Sequence, residues 1–213
     1  MSTHTATTGV RRMAARPRYA VTDDQDLWER LRVADEAALA DLFHRHSDAV
    51  YNFAFRRTSS WASAEDVVQA TFVALWRRAR AGKIDRLTLA SARPLLLVMA
   101  GYEAGNVLRA SRRQAALTDR IELIDRTGTV PDHSGEAAAR VDDERSMSQT
   151  RRLLDRIPAK QREVVELVIW SECSIAEAAR ALGVPEGTVK SRLARARTRL
   201  AGLLDLGTTE GLE

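Results

Sequence analysis

Between residues 186 and 199 the chain carries five cations, Lys190, Arg192, Arg195, Arg197 and Arg199, against the single acid Glu186. Wound as a helix at about 100° per residue, this stretch sorts into distinct faces. Val189, Leu193, Ala196 and Leu200 fall on one narrow stripe that must be buried. Opposite lie Gly187, Thr188, Ser191, Ala194, Arg195 and Thr198, which are small or hydrogen-bonding apart from one arginine. Such a face can enter a DNA major groove and meet base edges. Lys190 and Arg197 flank it on one side and Arg192 and Arg199 on the other, placed to reach two phosphate walls. The chemistry is contact with an anionic duplex.

The elements that would position this face are legible just upstream. Ser174 followed three residues later by Glu177 is a capping box, which starts a short helix. Gly183 ends it, where a left-handed backbone costs glycine least. Ala179 is small enough for a second helix to cross close above it. Together these are the parts of a helix-turn-helix. A solvated basic helix in an ordinary hairpin would explain the charge alone. It would not explain the cap, the turn glycine and the small-residue outer face together.

The rest of the chain is helical by period. Leu27, Leu31, Leu39, Leu42, Phe43, Val50, Phe53 and Ala54 recur at helical spacing from 26 to about 59. Residues 61 to 81 read as the next helix, with Val68, Phe72, Leu75, Trp76 and Ala79 turned inward. A connection follows from 82 to 93, and Pro94 opens a third helix running to about Arg113. No stretch alternates at period two, which excludes a sheet.

Residues 114–149 differ in character, with eight acids against four bases around the breaker run at 127–135. They read as an acidic flexible linker. The expected fold is all-α: a disordered basic tail at 1–25, a helical domain at 26–113, the linker at 114–149, a helix-turn-helix domain at 150–205 and a tail at 206–213. The total charge of +4 over 213 residues conceals this asymmetry.

The residues then resemble a known family. Leu154-Asp155-Arg156-Ile157-Pro158-Ala159-Lys160-Gln161-Arg162-Glu163-Val164-Val165, with the helix-turn-helix ending in Gly187-Thr188-Val189-Lys190-Ser191-Arg192-Leu193, resembles region 4 of bacterial sigma factors. The match is closest to the extracytoplasmic-function (ECF, group 4) members of the sigma-70 family. Ala64-Glu65-Asp66-Val67-Val68-Gln69-Ala70-Thr71-Phe72-Val73-Ala74-Leu75-Trp76-Arg77 independently resembles region 2.2, with which that family grips core RNA polymerase. Two motif blocks in order are more specific than either alone.

The resemblance implies a sigma factor that binds core polymerase and directs promoter recognition and transcription initiation. Asp66, Gln69, Val73 and Trp76 would meet the coiled coil of the polymerase β′ subunit, and region 4 the β subunit. Phe72 and the body of Trp76 read as core. Thr188, Lys190, Ser191, Arg192, Arg195, Arg197 and Arg199 would contact the −35 element. The helix from Pro94 aligns with the one that reads and opens the −10 element. There Tyr102 could stack on an unpaired base, with Asn106, Arg109, Arg112 and Arg113 as a basic edge. In the preceding loop, 85–91, the family captures a flipped non-template base, and Arg86 is the phosphate contact. The family usually has Arg-Asn where Gly101-Tyr102 stands, and an acid where Ala70 stands. It also suggests an anti-sigma partner, whose interface no motif here encodes.

Other chemistries find no support. His44 and His46 point about 160° apart on a helix and cannot chelate together. The lone Cys173 excludes a disulfide framework and reads as a buried thiol. Residues 95–100, the longest apolar run, fall far short of a membrane span, and the first twenty residues lack a signal peptide. The reading is therefore a non-enzyme with no metal or cofactor, not inserted in a membrane and cytoplasmic. Two alternatives stay open: a stand-alone helix-turn-helix transcriptional regulator, and a degenerate sigma-like protein that sequesters a regulator. A stand-alone regulator would not need the 66–76 block.

Overall fold

The computed structural model describes residues 22–122 and 135–209, with side chains placed from 22 to 114 and from 141 to 203. The expected basic tail at its first 21 residues and the centre of the linker lie outside those residues. Among the described residues there is no strand, and no helix is long and apolar enough to cross a membrane.

The first domain is built from α1 (Asp24–Arg32), α2 (Glu36–Thr58), α3 (Trp61–Arg80) and the first half of α4 (Arg93–Glu122). The single helix expected from 26 to 59 is two. Ala34 takes φ +61, and Asp35 then caps α2 by accepting the Ala37 and Ala38 amides. Asp23 caps α1 and Ser60 caps α3 in the same manner. Leu27, Leu31, Leu42, Val50, Val67, Leu75, Leu96 and Leu97 form the core, all essentially sealed from solvent. Burying an aliphatic side chain stabilises by about 1.5–3 kcal/mol, so these stripes outweigh any local propensity.

The second domain contains α5 (Gly135–Asp155), α6 (Ala159–Val165), a π-helical turn (Glu166–Trp170), α7 (Ile175–Leu182) and α8 (Glu186–Thr209). Ser174 and Glu177 form the expected capping box, and Gly183 the expected left-handed cap at φ +64. Leu154, Ile157, Val164, Leu167, Ala178, Val189, Leu193 and Ala196 make its core.

The acidic stretch read as a flexible tether is helical wherever it is described. The helix read as ending near Arg113 runs on to Glu122, and α5 begins at Gly135. Breakers are confined to the middle of that stretch, while Ala, Arg and Glu on either side favour helix. α5 also finds a partner: a Glu144 carboxylate oxygen accepts the Trp61 amide (2.8 Å) at the start of α3. There Trp61 stacks on Phe55, with ring centroids 3.7 Å apart.

The two domains are docked on each other. Arg57 of α2 pairs with Glu166 of the π turn, which is only 2% exposed. Arg56 donates to the Trp170 carbonyl, Arg93 to the Ser171 carbonyl and Arg180 to the Thr88 carbonyl. Arg56 and Arg93 thus meet the carbonyl-rich end of the π turn, where a helix terminus is most negative. Burial pushes the Glu166 carboxyl up to about 7, against the pull of the Arg57 and Arg162 guanidiniums.

Removing Arg57 strands a buried carboxyl without its donor, at a cost of about 1–3 kcal/mol. Arg57→Ala is expected to raise the radius of gyration in small-angle scattering with little loss of helical circular dichroism. The raised Glu166 value also sets a pH dependence. An unfolded chain gives up this proton near 4.5 and the folded chain near 7, so stability falls as pH climbs through that window. Thermal midpoints should decline from pH 5 to pH 8, and Glu166→Gln should flatten that slope.

Candidate nucleic-acid interface

α8 presents the face its sequence describes. Val189, Leu193 and Ala196 are buried, Leu200 is half-buried, and Lys190, Arg195, Arg197 and Arg199 are exposed. Thr188, Ser191 and Arg192 are half-buried along the same surface. α7 lies beneath, its small Ala179 buried at the crossing. Two details refine the face. The Ser191 hydroxyl donates to the Thr188 carbonyl (3.0 Å) and the Thr198 hydroxyl to the Ala194 carbonyl (3.2 Å), so both must rotate before donating to a base. Lys190 sits 4.0 Å from Glu186, an exposed pair that solvent screens heavily.

The residues expected at the −10 element share one side of α4 but are differently engaged. Tyr102 is 59% exposed, and with Gly101 it edges a small cavity between the domains beside Phe53, Val98 and Leu182. A Cβ on Gly101 would meet the Phe53 ring at ordinary van der Waals distance. Asn106 donates to Glu103 and accepts from Arg109, so its amide is tied up along the helix. Arg112 lies 3.8 Å from Asp155 of the second domain, while Arg109 and Arg113 are exposed. Arg86, in the loop, is exposed with its guanidinium 3.9 Å from Glu29.

On α3, Asp66, Gln69 and Val73 are exposed in a row, whereas Phe72 is buried and Trp76 half-buried. Of that row, Gln69 lines a groove between α2 and α3, together with Phe43, Asp48, Tyr51, Glu65 and Val68. Phe43 does not enter the core as its period predicts. It is 39% exposed and meets the Phe72 ring edge-on at 4.9 Å. The groove thus offers an apolar floor with acids and a glutamine on its rim, as a partner helix requires.

Comparison with known proteins decides what these surfaces belong to. A profile for Sigma-70 region 2 matches residues 42–88, and one for Sigma-70 region 4 matches residues 148–200. The chain is 35% identical over 171 residues to the ECF RNA polymerase sigma factor SigM of Mycobacterium tuberculosis, spanning 80% of this chain and 79% of the relative. The chain belongs to the ECF sigma factors. The ECF sigma factor SigL of the same species is 32% identical over 181 residues, spanning 83% of this chain and 94% of SigL. Among solved structures, CnrH in complex with the cytosolic domain of CnrY matches with TM-score 0.58 and 25% identity. The match covers 86% of this chain and 97% of CnrH. As a sigma factor, the protein binds core RNA polymerase and directs promoter recognition and transcription initiation.

Two clusters of this sigma factor escape sequence reading. One is the buried Glu166, although an acid inside the apolar run at 164–169 is a signal that such a charge must be paired. The other surrounds Asp24, only 4% exposed. Its two oxygens accept from Arg45 (2.7 Å), His46 (2.8 Å), the Ser91 hydroxyl (2.7 Å) and the Ala92 amide (2.7 Å). Burial works to raise its pKa, yet the bonds from His46, Ser91 and Ala92 hold the carboxyl well below the usual carboxylate range. Its contribution is therefore complete above its ordinary value and is lost as the solution becomes strongly acid. Asp24→Asn should lower stability by about 3 kcal/mol, read from the denaturant midpoint near neutral pH.

Proposed function

We propose that this sigma factor divides its work between three surfaces. α8 reads the −35 element through Thr188, Ser191 and Arg195, with Lys190, Arg192, Arg197 and Arg199 on the flanking phosphates. Loop 83–92 and the outer side of α4 take the opened −10 strand, with Arg86, Tyr102, Asn106, Arg109, Arg112 and Arg113 facing it. The α3 face bearing Asp66, Gln69, Val73 and Trp76, beside the groove that Gln69 lines, receives a helix of core polymerase, the β′ coiled coil, while the second domain meets the β subunit. The observation that carries this reading is the outward row of Thr188, Ser191 and Arg195 between two pairs of cations, directly opposite a buried stripe.

Docking of the second domain bears on the order of events. α7 lies against α4, and Asp155 holds Arg112, so the domains must part before both promoter elements are engaged. Held at fixed separation on polymerase, two weak contacts then act as one specific contact. An anti-sigma partner is consistent with CnrH having been solved in complex with the cytosolic domain of CnrY. Acting on promoters places the protein in the cytoplasm, and no step assigns it catalysis of its own.

Transcription from a promoter library by the reconstituted holoenzyme tests the reading. Arg195→Ala should cost about 1–3 kcal/mol at one −35 position and relax preference there alone. A uniform loss over all sequences would instead make Arg195 a phosphate contact. Tight sequence-specific binding by the free protein, with no association with core polymerase, would favour the stand-alone regulator.

A further inference from the structure

The segment between α3 and α4 is twelve residues long and has no regular secondary structure, yet one helix holds it along most of its length. Trp28 donates its indole N–H to the Asp85 carbonyl (2.9 Å) and Arg32 its Nε–H to the Ile84 carbonyl (3.1 Å). Gln25 donates its amide to the Leu89 carbonyl (3.1 Å). Asp24 accepts from the Ser91 hydroxyl and the Ala92 amide at the far end. Residues 24, 25, 28 and 32 recur at helical spacing, so a single stripe of α1 faces the loop. Ile84, Leu87 and Leu89 are buried beneath the loop, and Asp85, Arg86, Thr88 and Ala90 are exposed.

We infer that α1 is a positioning element for promoter opening: its side chains hold loop 83–92 in the shape that receives an unpaired −10 base. This rests on the proposal that the loop captures such a base. Ordering a free loop costs conformational entropy, and a loop already ordered does not impose that cost on DNA binding. The three α1 donors engage loop carbonyls and Asp24 takes the Ala92 amide, so α1 fixes the path of the loop from Ile84 to Ala92. The loop also stays shaped when the domains part. The Thr88 carbonyl is held by Arg180 of the second domain, whereas Ile84, Asp85, Leu89, Ser91 and Ala92 are held from within the first. Glu29, on the same helix, keeps the Arg86 guanidinium near the loop without burying it.

The test uses holoenzyme assembled with core polymerase and a fluorescent single-stranded −10 oligonucleotide, intact or with one abasic site at each position in turn. Wild type should lose about tenfold in affinity when the captured base is missing. The double variant Gln25→Ala/Arg32→Ala removes two loop-directed donors without cutting the core. With core binding intact, its penalty for the missing base should shrink to about threefold or less. A loss of folding alone would weaken intact and abasic strands equally. Gln25→Glu, at an exposed position, is the second variant, turning an acceptor toward the Leu89 carbonyl; it should shrink the penalty in the same direction. If both variants keep the full wild-type penalty, the role assigned to α1 is wrong while base capture stands. If wild type shows no penalty at any position, base capture and this inference fall together.

Discussion

A single buried carboxylate sets the geometry of the first domain. Asp24 begins α1, yet its acceptors are filled from elsewhere: Arg45 and His46 come from α2, and Ser91 and Ala92 come from the approach to α4. An isolated carboxylate could not remain there, because removing its hydration costs several kcal/mol unless hydrogen bonds replace it. The replacement ties three helices to one point. α2 is thereby placed so that its Phe43, Asp48 and Tyr51 line one wall of the groove, and α4 starts where its outer edge continues the exposed side of the loop.

The second domain is attached by a different logic. Its contacts with the first include four arginines on carbonyl or carboxyl oxygens and the Glu144 carboxylate on the Trp61 amide, around a modest apolar patch that includes Phe53, Leu97, Val98 and Leu182. Such an interface is directional but shallow. Interfaces between domains of one chain are commonly of this polar kind, and relative motion is their default behaviour. That suits a protein whose two DNA-facing surfaces must reach separated promoter elements. Asp155 gathers Arg151 and Arg162 within the second domain and lies 3.8 Å from Arg112 of α4, an exposed pair that solvent screens.

The net charge of +4 is a poor description of this molecule. Exposed cations cluster on α8, at Arg109, Arg112 and Arg113 of α4 and at Arg77, Arg78, Arg80 and Lys83 at the end of α3, while acids are concentrated in the segment joining the domains. Screening in salt limits exposed charges to a range of roughly 8–10 Å, so it is the local clusters and not the total that a duplex senses. Gly101 lies where α4 passes the Phe53 ring, and Tyr102 edges the interdomain cavity.

The helix-turn-helix was fully legible in the amino-acid order. Capping boxes, turn glycines and apolar stripes act over three to eight residues, and the same short-range rules place Thr188, Ser191 and Arg195 outward wherever the domain sits. The inward stripe of α3 was legible for the same reason, and the block at 64–77 through its resemblance to region 2.2. What required the fold were pairings across long separations: Arg57 with Glu166, Glu144 with the Trp61 amide, and α1 with loop 83–92. No periodicity encodes such a pair, because the partner is chosen by where two independently formed helices happen to pack. Phe43 shows the same limit from the other side. Its spacing matches the core stripe of α2, and only the position of α3 decides that its ring ends at the rim of a groove. The sequence alone determined which helices form and which faces carry cations. Tertiary packing decided which carboxylates are buried and paired, since desolvation acts on a group only once distant parts of the chain have closed over it.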